Sequence, residues 1–190
     1  MTDVVQLKSW PCVSPTLTGI SNVSNGVKIT WNASSGATKY RVFRKTGNNG
    51  WSAYANVTGT SYTDTHAVSG TTYTYTVRAL DSSGNYASWF DETGKTIKYI
   101  SAPVLTGISN TSAGVKLTWN APAGAVKYRV FRKYGSNGWS AYANVTGTSY
   151  TDTKAVSGTT YTYTVRCIDT NGNYISWFDE TGKTITYQKQ

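Results

Sequence analysis

Nucleophilic or acid–base catalysis requires a reactive group with a proton acceptor within reach, and this sequence offers few such groups. Its single histidine, His66, is matched by Lys154 in a second copy of the same text. Cys12 and Cys167 have no base beside them in the pattern, and one lies ahead of the repeated text while the other lies inside its second copy, so both are expected to be free thiols. The acidic residues fall in turn-like stretches such as Thr63-Asp64-Thr65 and Phe90-Asp91-Glu92-Thr93-Gly94. Asp169-Thr170-Asn171-Gly172-Asn173 begins like a calcium loop, but it is shorter than the twelve-residue hand and its glycine comes early. The other copy reads Asp81-Ser82-Ser83-Gly84-Asn85, a hairpin turn. No catalytic residue, metal site or cofactor is expected.

Binding chemistry is better represented. Trp51 and Trp139 each follow a glycine-bearing turn, and Trp89 and Trp177 each precede a phenylalanine in the segment read as the loop before the last strand. An exposed indole face can stack on a sugar ring, with Tyr54, Tyr86, Asn49 and Asn56 as neighbours. The competing role is a surface skin in which Trp51 and Trp89 cover the guanidinium groups of Arg41 and Arg78, and Trp139 and Trp177 those of Arg129 and Arg166. These eight residues are the candidate ligand-binding set.

Strands must position them. Thr, Tyr, Val and Trp dominate, helix-period patterns are missing, and Asn25-Gly26, Asn49-Gly50 and Gly84-Asn85 interrupt the runs. Trp31 answers to Trp119, Tyr73 to Tyr161 and Trp89 to Trp177, always 88 positions apart, without insertion or deletion. So long a period means two complete domains. Strands are predicted at Thr16–Ile20, Gly26–Asn32, Thr38–Lys45, Trp51–Val57, Ser61–Thr65, Thr71–Leu80 and Thr96–Ile100, and at the matching positions of the second copy. The fold class is all-β, with seven strands in a two-sheet sandwich in each copy. Alternation sends Tyr73, Tyr75, Val77 and Ala79 inward with Tyr40 and Val42, leaving Lys39, Arg41, Phe43, Lys45 and Arg78 outward. Trp31, Tyr40, Tyr73, Tyr75 and Val77 and their counterparts form the predicted cores.

The strand Val27-Lys-Ile-Thr-Trp31, the strand Tyr40-Arg-Val42 and the stretch Val68-Ser-Gly-Thr-Thr-Tyr73-Thr-Tyr-Thr-Val77-Arg-Ala79 together resemble the immunoglobulin-like fibronectin type III sandwich. The wording is closest to its bacterial form in Gram-positive surface and secreted proteins, or a phage-borne version. The resemblance covers both repeats and implies Trp31 as core tryptophan and Tyr73 as tyrosine corner. It departs from the animal pattern at Gly70, where proline is common, and there is no Arg-Gly-Asp tripeptide to support integrin-type adhesion.

The reading therefore divides the chain into residues 1–14, outside the repeat, and sandwiches at 15–101 and 102–190. The junction Lys98-Tyr-Ile-Ser-Ala-Pro103 leaves almost no linker, which predicts a semi-rigid pair. Val4, Val5, Leu7 and Trp10 make the first segment a candidate anchor to a carrier protein, a capsid, tail or cell-surface assembly. A net charge of +9 favours a polyanionic or glycan surface, but with only 14% charged residues and no nucleic-acid motif, specific nucleic-acid binding is not expected. No apolar run is long enough to insert in a membrane. The function these features suggest is non-catalytic display or adhesion, with two sandwiches projecting from a phage virion as a decoration or fibre-like protein, or from a bacterial surface, and touching glycans weakly. The alternatives are a passive spacer of a secreted multimodular glycan-degrading enzyme and a dedicated carbohydrate-binding module. The expected location is a virion surface, the extracellular space or the bacterial cell surface.

Overall fold

The computed structural model describes residues 11–190, which divide into two compact units, each dominated by the strands of one repeat. The anchor candidates Val4, Val5, Leu7 and Trp10 lie outside the described residues. In the first unit the strands are β1 (Leu17–Val23), β2 (Gly26–Trp31), β3 (Lys39–Thr46), β4 (Ser52–Val57), β5 (Ser61–Asp64), β6 (Thr72–Leu80) and β7 (Lys95–Lys98). They form a three-stranded sheet in the order β1-β2-β5 and a four-stranded sheet in the order β4-β3-β6-β7.

The second unit has β8 (Leu105–Thr111), β9 (Gly114–Trp119), β10 (Lys127–Tyr134), β11 (Ser140–Val145), β12 (Ser149–Asp152), β13 (Thr160–Ile168), β14 (Tyr174–Phe178) and β15 (Lys183–Thr186). One sheet runs β12-β9-β8; the other runs β11-β10-β13-β14, with β15 also paired to β13. Thus β14 and β15 share one flank of β13: Ile168 opposes Tyr174 at one end, and Thr160 opposes Thr186 at the other.

Strand β14 is a departure from the sequence reading, which placed Trp177 and Phe178 in a loop. Ile175 stands where the first copy has Ala87, and a β-branched residue favours extended pairing. In the first unit the corresponding stretch makes only a single bridge, Leu80 to Tyr86. The last strand is also shorter than predicted. Beyond β7 its pairing continues through two backbone bonds, Tyr99 N–H to Thr71 O (2.9 Å) and Gly70 N–H to Tyr99 O (2.8 Å). Gly70 has φ +88°, which no proline ring can adopt, and its N–H is in use. These two facts account for the missing proline.

The cores follow the period of two. Trp31, Tyr40, Tyr73, Tyr75 and Val77 are buried, as are Trp119, Tyr128, Tyr161, Tyr163 and Val165. Trp31 on one sheet meets Tyr40 on the other edge to face, with ring centroids 5.6 Å apart, and Trp119 meets Tyr128 in the same way. Each such ring contributes roughly 1.5–3 kcal/mol relative to exposure. Tyr161 acts as the tyrosine corner, its hydroxyl accepting the Val156 N–H at 3.1 Å.

Two placements need correction, and one outward residue is more fully covered than its parity alone suggests. Arg78 lies on the outer face as its parity requires, yet it is only 9% exposed because the segment containing Tyr86 and Trp89 folds over it. Asp64 is not a turn carboxylate but the fully buried end of β5. The segment read as lying outside both sandwiches supplies Cys12 to the first one: the side chain is buried and its N–H donates to Ala87 O at 2.9 Å. Cys12 and Cys167 are both free, buried thiols.

Candidate binding face

In each unit one residue breaks the regular ladder. Across β3 and β4, Val42 opposes Ala55 while Phe43 opposes Ala53, so Tyr54 is the extra residue of a bulge; Tyr142 holds the same place between Ala141 and Ala143. Bulges redirect side chains, and here the phenol reaches a buried carboxylate. Asp64 accepts from Tyr54 Oη (2.9 Å), Tyr75 Oη (2.7 Å) and Arg44 Nη1 (2.7 Å). The second unit repeats this with Asp152, Tyr142, Tyr163 and Arg132 at the same distances.

Burial pushes the Asp152 carboxyl up, but the bonds from Tyr163, Arg132 and Tyr142, with the Arg132 charge, outweigh it and hold the group below the ordinary carboxylate range. Burial, reinforced by the bond to Asp152, pushes Tyr142 up to about 12. A buried acid beside an arginine and two phenols is the kind of arrangement that enzymes use. In this fold the carboxylate is sealed at 0% exposure and spends its acceptors on its own neighbours, so the arrangement is a structural tie between the two sheets. The sequence reading missed it, although Arg44 continues the inward series Tyr40, Val42.

The candidate ligand residues gather on the outer face of the larger sheet in each unit. Arg41 and Arg78 stand directly opposite one another on β3 and β6, as do Arg129 and Arg166 on β10 and β13. The shared cover of each pair is a tyrosine: Arg78 lies 3.9 Å and Arg41 5.5 Å from the Tyr86 ring centroid, and Arg166 4.1 Å and Arg129 5.3 Å from that of Tyr174. Trp89 lies 5.3 Å from Arg78, and Trp177 lies 5.5 Å from Arg166. Phe90 stacks on Phe43 at 5.7 Å, and Phe178 on Phe131 at 6.2 Å.

Trp51 and Trp139 depart from the expected pairing with arginine. Their cationic neighbours are Lys45 at 4.5 Å and Lys133 at 4.4 Å. The rings are set edge-on against Phe90 and Phe178. Gly94 and Gly182 permit this, since a Cβ at either position would meet the carbonyl oxygen of Tyr75 or Tyr163 and crowd the indole.

Backbone contacts fix the covering segments. Ser88 Oγ accepts the Ala79 N–H at 3.0 Å and donates to Trp89 O at 2.7 Å, and Ser176 does the same for Cys167 and Trp177. The result is an interleaved surface of cations and rings. Trp89, 48% exposed, is the most open indole among the described residues. Trp139 instead borders an open depression of about 640 Å³ with Arg132, Tyr134, Asn137, Ser140 and Tyr142. Asn49 and Asn56, considered as partners for sugar hydroxyls, are engaged with Thr46 and Arg41. Among the described residues, no group of three His, Cys, Asp or Glu side chains is placed to hold a metal. Asp169 uses its carboxylate on the N–H and side-chain amide of Asn173, the hairpin role read from the sequence.

No protein-family model matches the chain. It is 34% identical over 179 residues to exoglucanase B of Cellulomonas fimi, covering 84% of this chain and 16% of that protein. It is 32% identical over 168 residues to chitinase A1 of Niallia circulans, covering 82% of this chain and 23% of that one. A solved Fn3-like protein from Clostridium thermocellum is 32% identical, covering 43% of this chain and 90% of the other with a TM-score of 0.35. The strand order, core tryptophan and tyrosine corner define immunoglobulin-like sandwich modules. The chain belongs to the bacterial fibronectin type III-like domains, present as a tandem pair.

Proposed function

We propose that this tandem pair is a non-catalytic spacer of a secreted, multimodular glycan-degrading protein. The observation that carries the reading is the match to exoglucanase B and chitinase A1 along most of this chain but only a small fraction of theirs, as expected of an accessory module that recurs beside unrelated catalytic domains. The match favours an extracellular location. It supports the spacer alternative better than display on a virion. The aromatic rings resting on cations suit a durable outer surface, and the buried Asp64 and Asp152 centres are closed to substrate.

The test has two parts. The chain alone, incubated with cellulose and chitin, is expected to release no reducing sugar; release would overturn the reading. Placed between a glucanase domain and a cellulose-binding domain, it should support more hydrolysis of insoluble cellulose than a Gly-Ser linker of equal residue number, because folded sandwiches hold a separation that a flexible coil does not. Equal hydrolysis would remove the spacer role. Attachment of Val4, Val5, Leu7 and Trp10 to a carrier belongs to the display reading, and it predicts that deleting residues 1–10 abolishes capture by the carrier while both melts persist.

A further inference from the structure

We propose that the cross-strand arginine pair of the second sandwich, Arg129 and Arg166, is a receptor for the carboxylate of an acidic glycan. The proposal goes beyond the spacer reading and does not depend on it.

The second unit carries the case. Arg129 and Arg166 are directly opposed on neighbouring strands, where like charges destabilise a sheet. The inward-facing arginines are neutralised, Arg44 by Asp64 and Arg132 by Asp152, at 2.7 Å each. Among the described residues no carboxylate forms an ion pair with Arg129 or Arg166. Glu180, the acid that touches the cluster, accepts from Trp177 Nε1 at 3.0 Å instead.

The arginines are nevertheless held in place. Arg129 donates from Nε to Asn144 Oδ1 (2.9 Å) and from Nη1 to Tyr174 Oη (3.1 Å). Arg166 donates from Nε to Ser176 O (2.6 Å) and is packed against Tyr174, Trp177 and Phe178. Its two Nη groups have no protein acceptor among the described residues. Burial lowers its pKa below the ordinary arginine value, with no carboxylate to oppose the effect. Two immobilised guanidinium groups with no carboxylate paired to them among the described residues suit a planar carboxylate, which arginine binds in bidentate fashion. The adjoining Trp177 and Tyr174 rings supply apolar faces for the sugar that bears it. In the first unit Arg41 and Arg78 are likewise opposed beside Tyr86 and Trp89, but Arg78 is covered there, so the test changes both copies.

Affinity electrophoresis of the full chain through gels containing polygalacturonate tests this directly, with fully methyl-esterified polymer and oligothymidylate as comparisons. Retardation by polygalacturonate, its loss on esterification and weaker retardation by oligothymidylate are expected. Arg41→Gln with Arg129→Gln should weaken retention about tenfold, as loss of charge-assisted contacts requires. Lys39→Gln with Lys127→Gln removes the same charge from the same strands and should change it by less than about twofold. Arg41→Lys with Arg129→Lys keeps charge and fold but loses the fork, and should fall between them. No retardation of the parent, equal loss in the lysine variants, or equal retardation by oligothymidylate would each overturn the proposal.

Discussion

Arg44 Nη1 and Asp64 Oδ2 lie 2.7 Å apart, and the Asp64 carboxylate is completely buried while the arginine side chain keeps 22% of its exposure. The pair joins β3 of one sheet to β5 of the other, with Tyr54 and Tyr75 completing the coordination of the carboxylate. Arg132 and Asp152 repeat it.

Removing the buried partner should therefore unfold a unit more readily than removing the exposed one. Asp64→Ala is expected to destabilise the first sandwich by about 3–5 kcal/mol, because it strands a guanidinium and two phenols. Arg44→Met, which preserves the packed stem, should cost roughly 1–3 kcal/mol. Urea melts of each variant measure the order, and an Asp64→Ala protein as stable as the parent would refute the role.

Titration of the same centre sets the pH limits of stability in the second unit. The Asp152 carboxyl is held below its ordinary value, so its contribution is complete above the unfolded value of about 3.9 and is lost as pH falls through the lower folded value. Tyr142 is raised to about 12, so its contribution is complete below the unfolded value of about 10 and is lost as pH rises through 12. Thermal melts across this range should show a broad plateau with falling limbs at both ends. Asp152→Asn should flatten the acid limb; an unchanged limb would count against the assignment.

Burial raises the Cys167 thiol to about 11, against a smaller opposing effect from Ser176. A disulfide-exchange reagent at pH 8 should thus leave Cys167 unmodified in the folded protein and label it once urea opens the second unit. Peptide mapping distinguishes it from Cys12, and rapid native labelling of Cys167 would contradict its burial.

Trp89 is half exposed over Arg78 and Phe90, so it contributes little to the core. Trp89→Ala together with Trp177→Ala should cost less than about 1 kcal/mol per unit, whereas Trp31→Ala should cost about 3–5 kcal/mol. Differential scanning calorimetry separates the two cases. A large loss from the surface pair would make the ladder a structural element rather than a face available to ligands.

The cores were legible because Tyr40, Val42, Tyr73, Tyr75 and Val77 obey a period of two that survives burial on one side. The same rule placed Arg41 opposite Arg78 on the outer face. An aromatic cover over Arg41 and Arg78 was among the readings the sequence offered, but periodicity could not show that Tyr86 is the shared cover and that Trp51 goes to Lys45, since it does not encode the path of the segment carrying Tyr86. The Asp64 centre was hidden differently. Arg44 and Asp64 both occupy inward parity, but a charge at the end of a strand reads as surface unless its partner is known. Strand β14 differs from residues 86–90 of the first copy by one residue, Ile175 for Ala87, too slight a change to distinguish a paired strand from a loop.

The bulge at Tyr54 has a second effect, because β4 is the outermost strand of its sheet, and Tyr142 marks the same position on β11. An interrupted, more strongly twisted border is a poor template for another chain. Two nearly identical neighbours in one polypeptide are exposed to strand exchange during folding. By distorting the border of each copy, the residue that anchors the buried carboxylate also protects the tandem against aggregation through its open edge.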